Sequence, residues 1–263
     1  MPELPEVESY RRLAERTVGR RVGEVQLRDR RYLRGGTEPD ELQQVLHGAQ
    51  IAGARRIGKL LVLDLGDAGA GRRLGVRFGM TGRLQVDDQL GVDRLLHASD
   101  RLEPAWQRFA VRFTDGGLLA VHDPRLLGGV SLDPDEAALG PDAATVTPAA
   151  LARALQGSTT ALKARLLDQS RLAGVGNLLA DEILWRASLA PARPAGSLSP
   201  AELRRLHRRL HQTLVELLER GGSHLGELVP HRTPGGRCPR DGGELRRATV
   251  GGRTTWWCPT HQR

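Results

Sequence analysis

After its first few residues the chain shows apolar positions at helical spacing: Val7, Tyr10, Leu13, Ala14 and Val18 share one face, which predicts an amphipathic helix over residues 6–18. Short runs of strand-forming residues follow at 22–27, 60–65, 74–86 and 109–121, with a helix at 38–46 (Leu42, Val45, Leu46) between the first two. The last run carries Asp115-Gly116-Gly117 at its middle and reads as a hairpin. Residues 131–147, rich in Pro, Asp, Ala and Gly, read as a linker, and beyond them the period becomes helical. Thr147-Pro148 starts one helix, residues 178–187 form another, and Ser199-Pro200-Ala201-Glu202 is a capping box with proline in the first turn. Leu203, Leu206, Leu210, Leu214 and Leu217 mark the buried stripe of that last helix, and Gly221-Gly222 stops it. Short strands followed by helices indicate an α+β, two-domain chain whose first half is a sandwich or barrel flanked by helices.

Composition narrows the setting. With 263 residues and 39% hydrophobic positions there is material for two cores. No apolar run approaches the ~20 residues of a membrane span, and the acidic, proline-containing start is unlike a secretion signal, so a soluble, cytoplasmic, monomeric protein is expected. The net charge of +8 is unevenly placed: residues 1–150 sum to −1 and residues 151–263 to +9. A basic second half points to a nucleic-acid partner, with a merely solvated basic face as the alternative. For Arg204, Arg205, Arg208 and Arg209, opposite the leucine stripe, solvation is the expected role and phosphate contact stays open. Only two of the 39 basic residues are lysines, Lys59 and Lys163, so a compact ammonium has been kept at two places in a chain that otherwise uses arginine.

Three stretches carry candidate chemistry. Met1-Pro2-Glu3-Leu4-Pro5-Glu6, once Met1 is removed, exposes a secondary amine beside a carboxylate. An α-amino group titrates near pH ~8, so part of it is a free nucleophile at neutral pH. The same residues also suit a helix start, and on their own do not decide between the two. Gly174-Val175-Gly176-Asn177, opening a helix, lets backbone N–H groups approach a phosphate, with Asn177 as cap and donor; the other reading is a tight helix-helix turn. Cys238-x2-Asp241-x16-Cys258-x2-His261 places two pairs of ligand-type residues at zinc-finger spacing and uses both cysteines of the chain. A metal-free hairpin or a Cys238–Cys258 disulfide are the alternatives, the latter disfavoured in a cytosolic protein.

The opening Pro2-Glu3-Leu4-Pro5-Glu6-Val7-Glu8, the Leu167-Asp168-Gln169 run into Gly174-Val175-Gly176-Asn177, and the paired-ligand hairpin resemble, in this order, the formamidopyrimidine-DNA glycosylase family, which includes the endonuclease VIII type enzymes. The opening resembles the formamidopyrimidine branch. The resemblance spans essentially the whole chain and implies an N-terminal catalytic β-sandwich domain (1–130), a linker (131–147), a helix-two-turns-helix domain (148–222) and a zinc-finger-like hairpin (223–263). It implies double-stranded DNA with damaged or abasic nucleotides as partner, one structural zinc ion as cofactor, and a bacterial-type, nucleoid-associated protein. The activity implied is that of a bifunctional DNA glycosylase and abasic-site lyase: it excises oxidised bases through an N-terminal proline Schiff base and cuts the strand by β/δ-elimination. A non-catalytic damaged-DNA-binding protein on the same fold is the rival.

Carried over residue by residue, the resemblance makes Pro2 the nucleophile, Glu3 the acid/base and Lys59 a lysine near the lesion. Glu6 becomes a supporting carboxylate, a role it shares evenly with plain helix-start chemistry. A glycosylase must extrude its target and fill the hole; Met80, between Gly79 and Gly82, matches the inserting methionine, and Arg125 the arginine that pairs with the orphaned base. Leu127 stands where many members have phenylalanine, and leucine stacks less well. Arg253 matches the phosphate-gripping arginine of the hairpin, and Asn177 lies in the phosphate-binding turn. Asp241 and His261 depart from the usual four cysteines. Only 17 residues separate Arg220 from Cys238, shorter than in many members, so a preference for 8-oxoguanine does not carry over.

Overall fold

The computed structural model describes residues 2–92, 95, 96, 99 and 101–263; Met1, on whose removal the Pro2 reading depends, lies outside the described residues. The chain divides into two compact units, Met1–Glu136 and Ala137–Arg263.

The first unit opens with α1 (Leu4–Ala14), two residues earlier than the apolar spacing alone predicts. The cause is local: Glu3 is the N-cap, and it exchanges side-chain-to-backbone hydrogen bonds with Glu6 in a capping box, with Pro5 in the first turn. A 3-10 turn, Glu15–Thr17, ends the helix. There follow β1 (Val22–Leu27), α2 (Pro39–Leu46), β2 (Ala49–Ile57), β3 (Leu60–Asp67), β4 (Arg73–Arg77), β5 (Arg83–Val86), β6 (Gln89–Leu90), β7 (Gln107–Phe113), β8 (Leu118–His122) and β9 (Gly129–Leu132). They form two antiparallel sheets, β1-β7-β8-β5-β6 and β2-β3-β4-β9. Leu61, Leu63 and Val76 of one sheet and Leu84, Phe109 and Val121 of the other belong to a single core, as a β-sandwich requires, and Val7 and Tyr10 bring α1 into it.

Two expectations change here. Residues 74–86 are not one strand but β4 and β5, in different sheets. Between them Phe78 O accepts the Gly82 N–H at 2.8 Å, and a Cβ at Gly82 would stand 2.4 Å from that oxygen, so the chain turns sharply where only glycine fits. Strand β2 has no clear alternation, because most of its side chains are half-buried, and nothing in its sequence announces it. Strand β9 runs into the stretch read as a linker, and the boundary between compact units falls at Glu136/Ala137.

The second unit contains α3 (Pro148–Leu155), capped by Thr147 Oγ1 accepting from Ala150 N at 3.2 Å, then α4 (Leu162–Leu167), α5 (Asn177–Ala187) and α6 (Pro200–Arg220). The Ser199/Glu202 capping box forms as expected, and Gly221, at φ +103°, takes the left-handed conformation that ends α6. Helix α5 is buried on nearly all sides and packs against α4, α6 and the strand β11 (Arg253–Trp257), which pairs antiparallel with β10 (Arg246–Val250). Among the described residues no helix is long and apolar enough to cross a membrane.

Candidate functional site

In the first unit Pro2, Glu3 and Glu6 are all buried at the start of α1, with Glu3 at 0% and Glu6 at 1% exposure. Glu6 Oε2 accepts the Glu3 N–H at 2.8 Å. Because that amide is the one joined to Pro2, the Glu6 carboxylate fixes the peptide plane from which the Pro2 ring projects. The capping box and the candidate nucleophile are thus one piece of structure, and the helix start and the nucleophile reading use the same residues without conflict.

Lys59 lies in the two-residue turn between β2 and β3, after Gly58 at φ +57°. Sequence reasoning did not supply what holds that turn against α1. Arg56, with its side chain 8% exposed, donates from Nε to Glu8 Oε2 at 3.1 Å and from Nη1 to Gly58 O at 2.9 Å. One guanidinium therefore ties the helix of Pro2 to the turn of Lys59. Despite the cost of burial, its hydrogen bonds with Arg56 and Arg11 hold the Glu8 carboxyl below the usual carboxylate range.

Met80 sits half-buried on the turn between β4 and β5, while Arg125 and Leu127 are exposed on the segment between β8 and β9. Leu127, 46% exposed, is one of few large apolar side chains turned to solvent among the described residues. The two segments touch through backbone: a Cβ on Gly79 would lie 2.4 Å from the Leu127 carbonyl carbon. Tyr10 reaches the same place from α1, its hydroxyl donating to Gly82 O at 3.0 Å and its ring 4.4 Å from that of Phe78.

In the second unit the turn 174–177 is stitched by Gln169, whose Oε1 accepts Gly174 N at 3.0 Å and whose Nε2 donates to Val175 O at 3.0 Å and Leu167 O at 2.8 Å. Gly174 is at φ +115°. The helix cap is Gly176, not Asn177 as expected; Asn177 is the first helical residue, and its buried Oδ1 has no hydrogen-bond partner among the described residues. That leaves the Asn177 side chain at the start of α5 available to a ligand. Arg253 is exposed at the start of β11, just after the Gly251-Gly252 turn, and a Cβ added at Gly251 would meet Ala164 Cβ of α4 at 2.7 Å. Lys163, to which the sequence assigned no role, anchors this hairpin: its buried Nζ donates to Thr254 O at 3.1 Å and Thr255 Oγ1 at 2.8 Å.

Cys238, Asp241, Cys258 and His261 converge, one ligand atom from each lying within 4.8 Å of all the others. Both cysteines are unbridged. A tetrahedral Zn2+, about 2.3 Å from sulfur and about 2.1 Å from nitrogen or oxygen, separates its ligand atoms by roughly 3.4–3.8 Å. Cys238 Sγ is 3.8 Å from His261 Nδ1, and Cys258 Sγ is 3.4 Å from either Asp241 oxygen, so the set fits a metal ion. The 2.6 Å contact between His261 Nδ1 and Asp241 Oδ2 is a hydrogen bond whose proton an ion would replace. Trp185 supplies the outer support, its indole N–H donating to Cys238 Sγ at 3.3 Å and its carbonyl facing His261 Nε2 at 3.4 Å. A proton on Nε2 leaves Nδ1 as the ligand nitrogen.

Residues 1–130 match the formamidopyrimidine-DNA glycosylase N-terminal domain, and residues 138–227 match the formamidopyrimidine-DNA glycosylase H2TH domain. A formamidopyrimidine-DNA glycosylase of Xanthomonas euvesicatoria is 37% identical with both chains covered in full, and one of Thermus thermophilus is 36% identical over all of this chain and 98% of its own. Among solved structures, a complex of Lactococcus lactis Fpg with abasic-site DNA superposes with TM-score 0.82 at 27% identity, both chains fully covered. A complex of the same protein with Fapy-dG containing DNA gives TM-score 0.82 at 28% identity over 99% of this chain. With both domains matched in order and relatives above 30% identity along its whole length, this chain belongs to the formamidopyrimidine-DNA glycosylase family.

Proposed function

We propose that the chain is a bifunctional DNA glycosylase and abasic-site lyase acting on oxidised bases in duplex DNA. The observation that carries this reading is the buried Pro2-Glu3-Glu6 arrangement, in which removal of Met1 would free a secondary amine beside one carboxylate while a second carboxylate holds the intervening peptide. The Pro2 nitrogen attacks C1′ of the damaged nucleotide, and the glycosidic bond breaks with its electron pair leaving on the base, which takes up a proton. The nitrogen gives up its own proton, Glu3 protonates O4′, and the sugar ring opens to an iminium between Pro2 and C1′. Loss of a C2′ proton then expels the 3′-phosphate, and a second elimination expels the 5′-phosphate.

Lys59, held against α1 through Arg56, takes the phosphate or sugar near the lesion. Met80, Arg125 and Leu127 fill the void left by the extruded nucleotide. Asn177 at the start of α5, and Arg253 on its anchored hairpin, grip the backbone phosphates. The ion at Cys238, Asp241, Cys258 and His261 is zinc, and when bound it cross-links the two ends of the β10–β11 hairpin and supplies no reaction chemistry.

Borohydride trapping tests the reading. Protein with Pro2 at its terminus gives a covalent adduct with abasic duplex, and Pro2→Gly or an uncleaved Met1 removes it. Failure to trap, or an adduct unchanged by Pro2→Gly, rejects the mechanism and leaves a protein that binds damage without cutting.

A further inference from the structure

The Met80 turn and the Arg125–Leu127 segment are two of the three places among the described residues of the first unit where the chain passes between sheets, from β4 to β5 and from β8 to β9; the third, from β1 to β2, runs through α2. One side chain holds the first two. Asp123, fully buried, accepts Thr81 Oγ1 on Oδ1 at 2.6 Å, and the same oxygen accepts Arg125 N at 3.2 Å. Its Oδ2 accepts Gly128 N at 2.8 Å.

The surroundings admit little movement. A Cβ on Gly128 would lie 2.4 Å from Arg77 O and 2.6 Å from the Tyr32 hydroxyl. Arg34 Nη2 donates to Gly128 O at 2.6 Å, while Arg108 donates from Nε to Asp123 O at 2.7 Å and from Nη2 to Pro124 O at 3.2 Å. Between these ties Leu126 takes φ +54°, a conformation costly for leucine. The strain has a visible result: Leu126 packs against the core while Arg125 and Leu127 on either side stand in solvent.

We propose that Asp123 is a positioning residue that fuses the two segments into one preformed wedge, so that Met80, Arg125 and Leu127 enter the base stack together. The proposal rests on reading those three as the void-filling group. Preorganisation is the physical gain, because side chains already ordered before contact lose less freedom on insertion. A carboxylate suits the task because both oxygens accept, and an Asn in its place turns an NH2 toward donors.

The test uses Asp123→Asn and Thr81→Val, the second removing only the 2.6 Å link at nearly constant shape. Stopped-flow fluorescence of 2-aminopurine opposite an abasic site in a duplex reads insertion. Borohydride trapping on single-stranded abasic DNA, which has no stack to fill, reads the Pro2 chemistry alone. Insertion slows about tenfold or more in Asp123→Asn and by a smaller factor in Thr81→Val, with single-strand trapping within about twofold of the parent. Parental insertion rates in both variants, or single-strand trapping that falls in step with insertion, overturn the proposal. If circular dichroism shows Asp123→Asn unfolded, Thr81→Val decides by the same two readouts. A parent protein that forms no adduct overturns the glycosylase reading instead, so the two failures are told apart.

Discussion

Lys163 Nζ lies 2.7 Å from Asp181 Oδ1, with the two side chains 0% and 1% exposed. Asp181 Oδ2 in turn meets Arg232 Nη2 at 2.9 Å and the Trp256 N–H at 3.2 Å. A lysine of α4, an aspartate of α5 and the backbone of β11 thus form one buried charged network that sets where the Arg253 hairpin stands.

Replacing Lys163 by methionine takes the ammonium partner from the buried Asp181 carboxyl, the circumstance in which a broken buried pair costs about 3–5 kcal/mol. The urea midpoint of Lys163→Met falls, and the double replacement Lys163→Met/Asp181→Leu recovers part of the loss. An unchanged midpoint in the single variant would show the network to be without energetic weight.

Glu6 Oε2 holds the Glu3 amide at 2.8 Å, and a supporting role of that kind predicts that its charge matters less than its acceptor oxygen. Glu6→Gln retains most of the trapping rate. Glu6→Ala loses about tenfold along with roughly 1 kcal/mol of helix-start stability. Complete loss of trapping in Glu6→Gln would instead place Glu6 in the reaction.

A ligand set of two thiolates, one carboxylate and one imidazole fixes what metal removal does. Protein purified without chelator carries about one metal ion per chain, and Co2+ substitution gives the visible spectrum of a tetrahedral site with thiolate ligands. Asp241→Ala lowers metal affinity, and chelation lowers the melting temperature because ligand binding to the folded state is lost. Metal content near zero would reject the site.

Acid sensitivity follows from Glu202. Its hydrogen bonds to the Arg193 guanidinium hold the carboxyl down at about 2, against 4.5 for a free glutamate. A carboxylate depressed in the folded state stabilises above its unfolded value, and the contribution is lost as pH falls from about 4.5 toward 2. Arg193→Met is therefore less stable than the parent in urea at pH 7, and the difference narrows below pH 4.5. A difference that stays constant with pH contradicts the assignment.

Where a signal and its structural result lie within a few residues, the sequence alone was sufficient. The Ser199/Glu202 capping box, the glycine stop after α6, the Asp115-Gly116-Gly117 hairpin turn and the paired spacing of Cys238, Asp241, Cys258 and His261 are of this kind, since each depends on backbone geometry within one turn or hairpin. The family resemblance rested on local motifs too: residues 2–8, the run from Leu167 into Gly174-Val175-Gly176-Asn177, and the paired-ligand hairpin. Tertiary structure decided the rest. Residues 74–86 read as one strand because their apolar pattern continues through a turn that delivers its two halves to opposite sheets. The residues that hold the candidate site together bond across long stretches of chain: Thr81 to Asp123 over 42 positions, Glu8 to Arg56 over 48, Tyr10 to Gly82 over 72, and Lys163 to Thr254 over 91. A buried polar group must find a partner, and the sequence shows which groups are polar. Which partner each one meets is set by how the sheets and helices pack, and no local pattern encodes that.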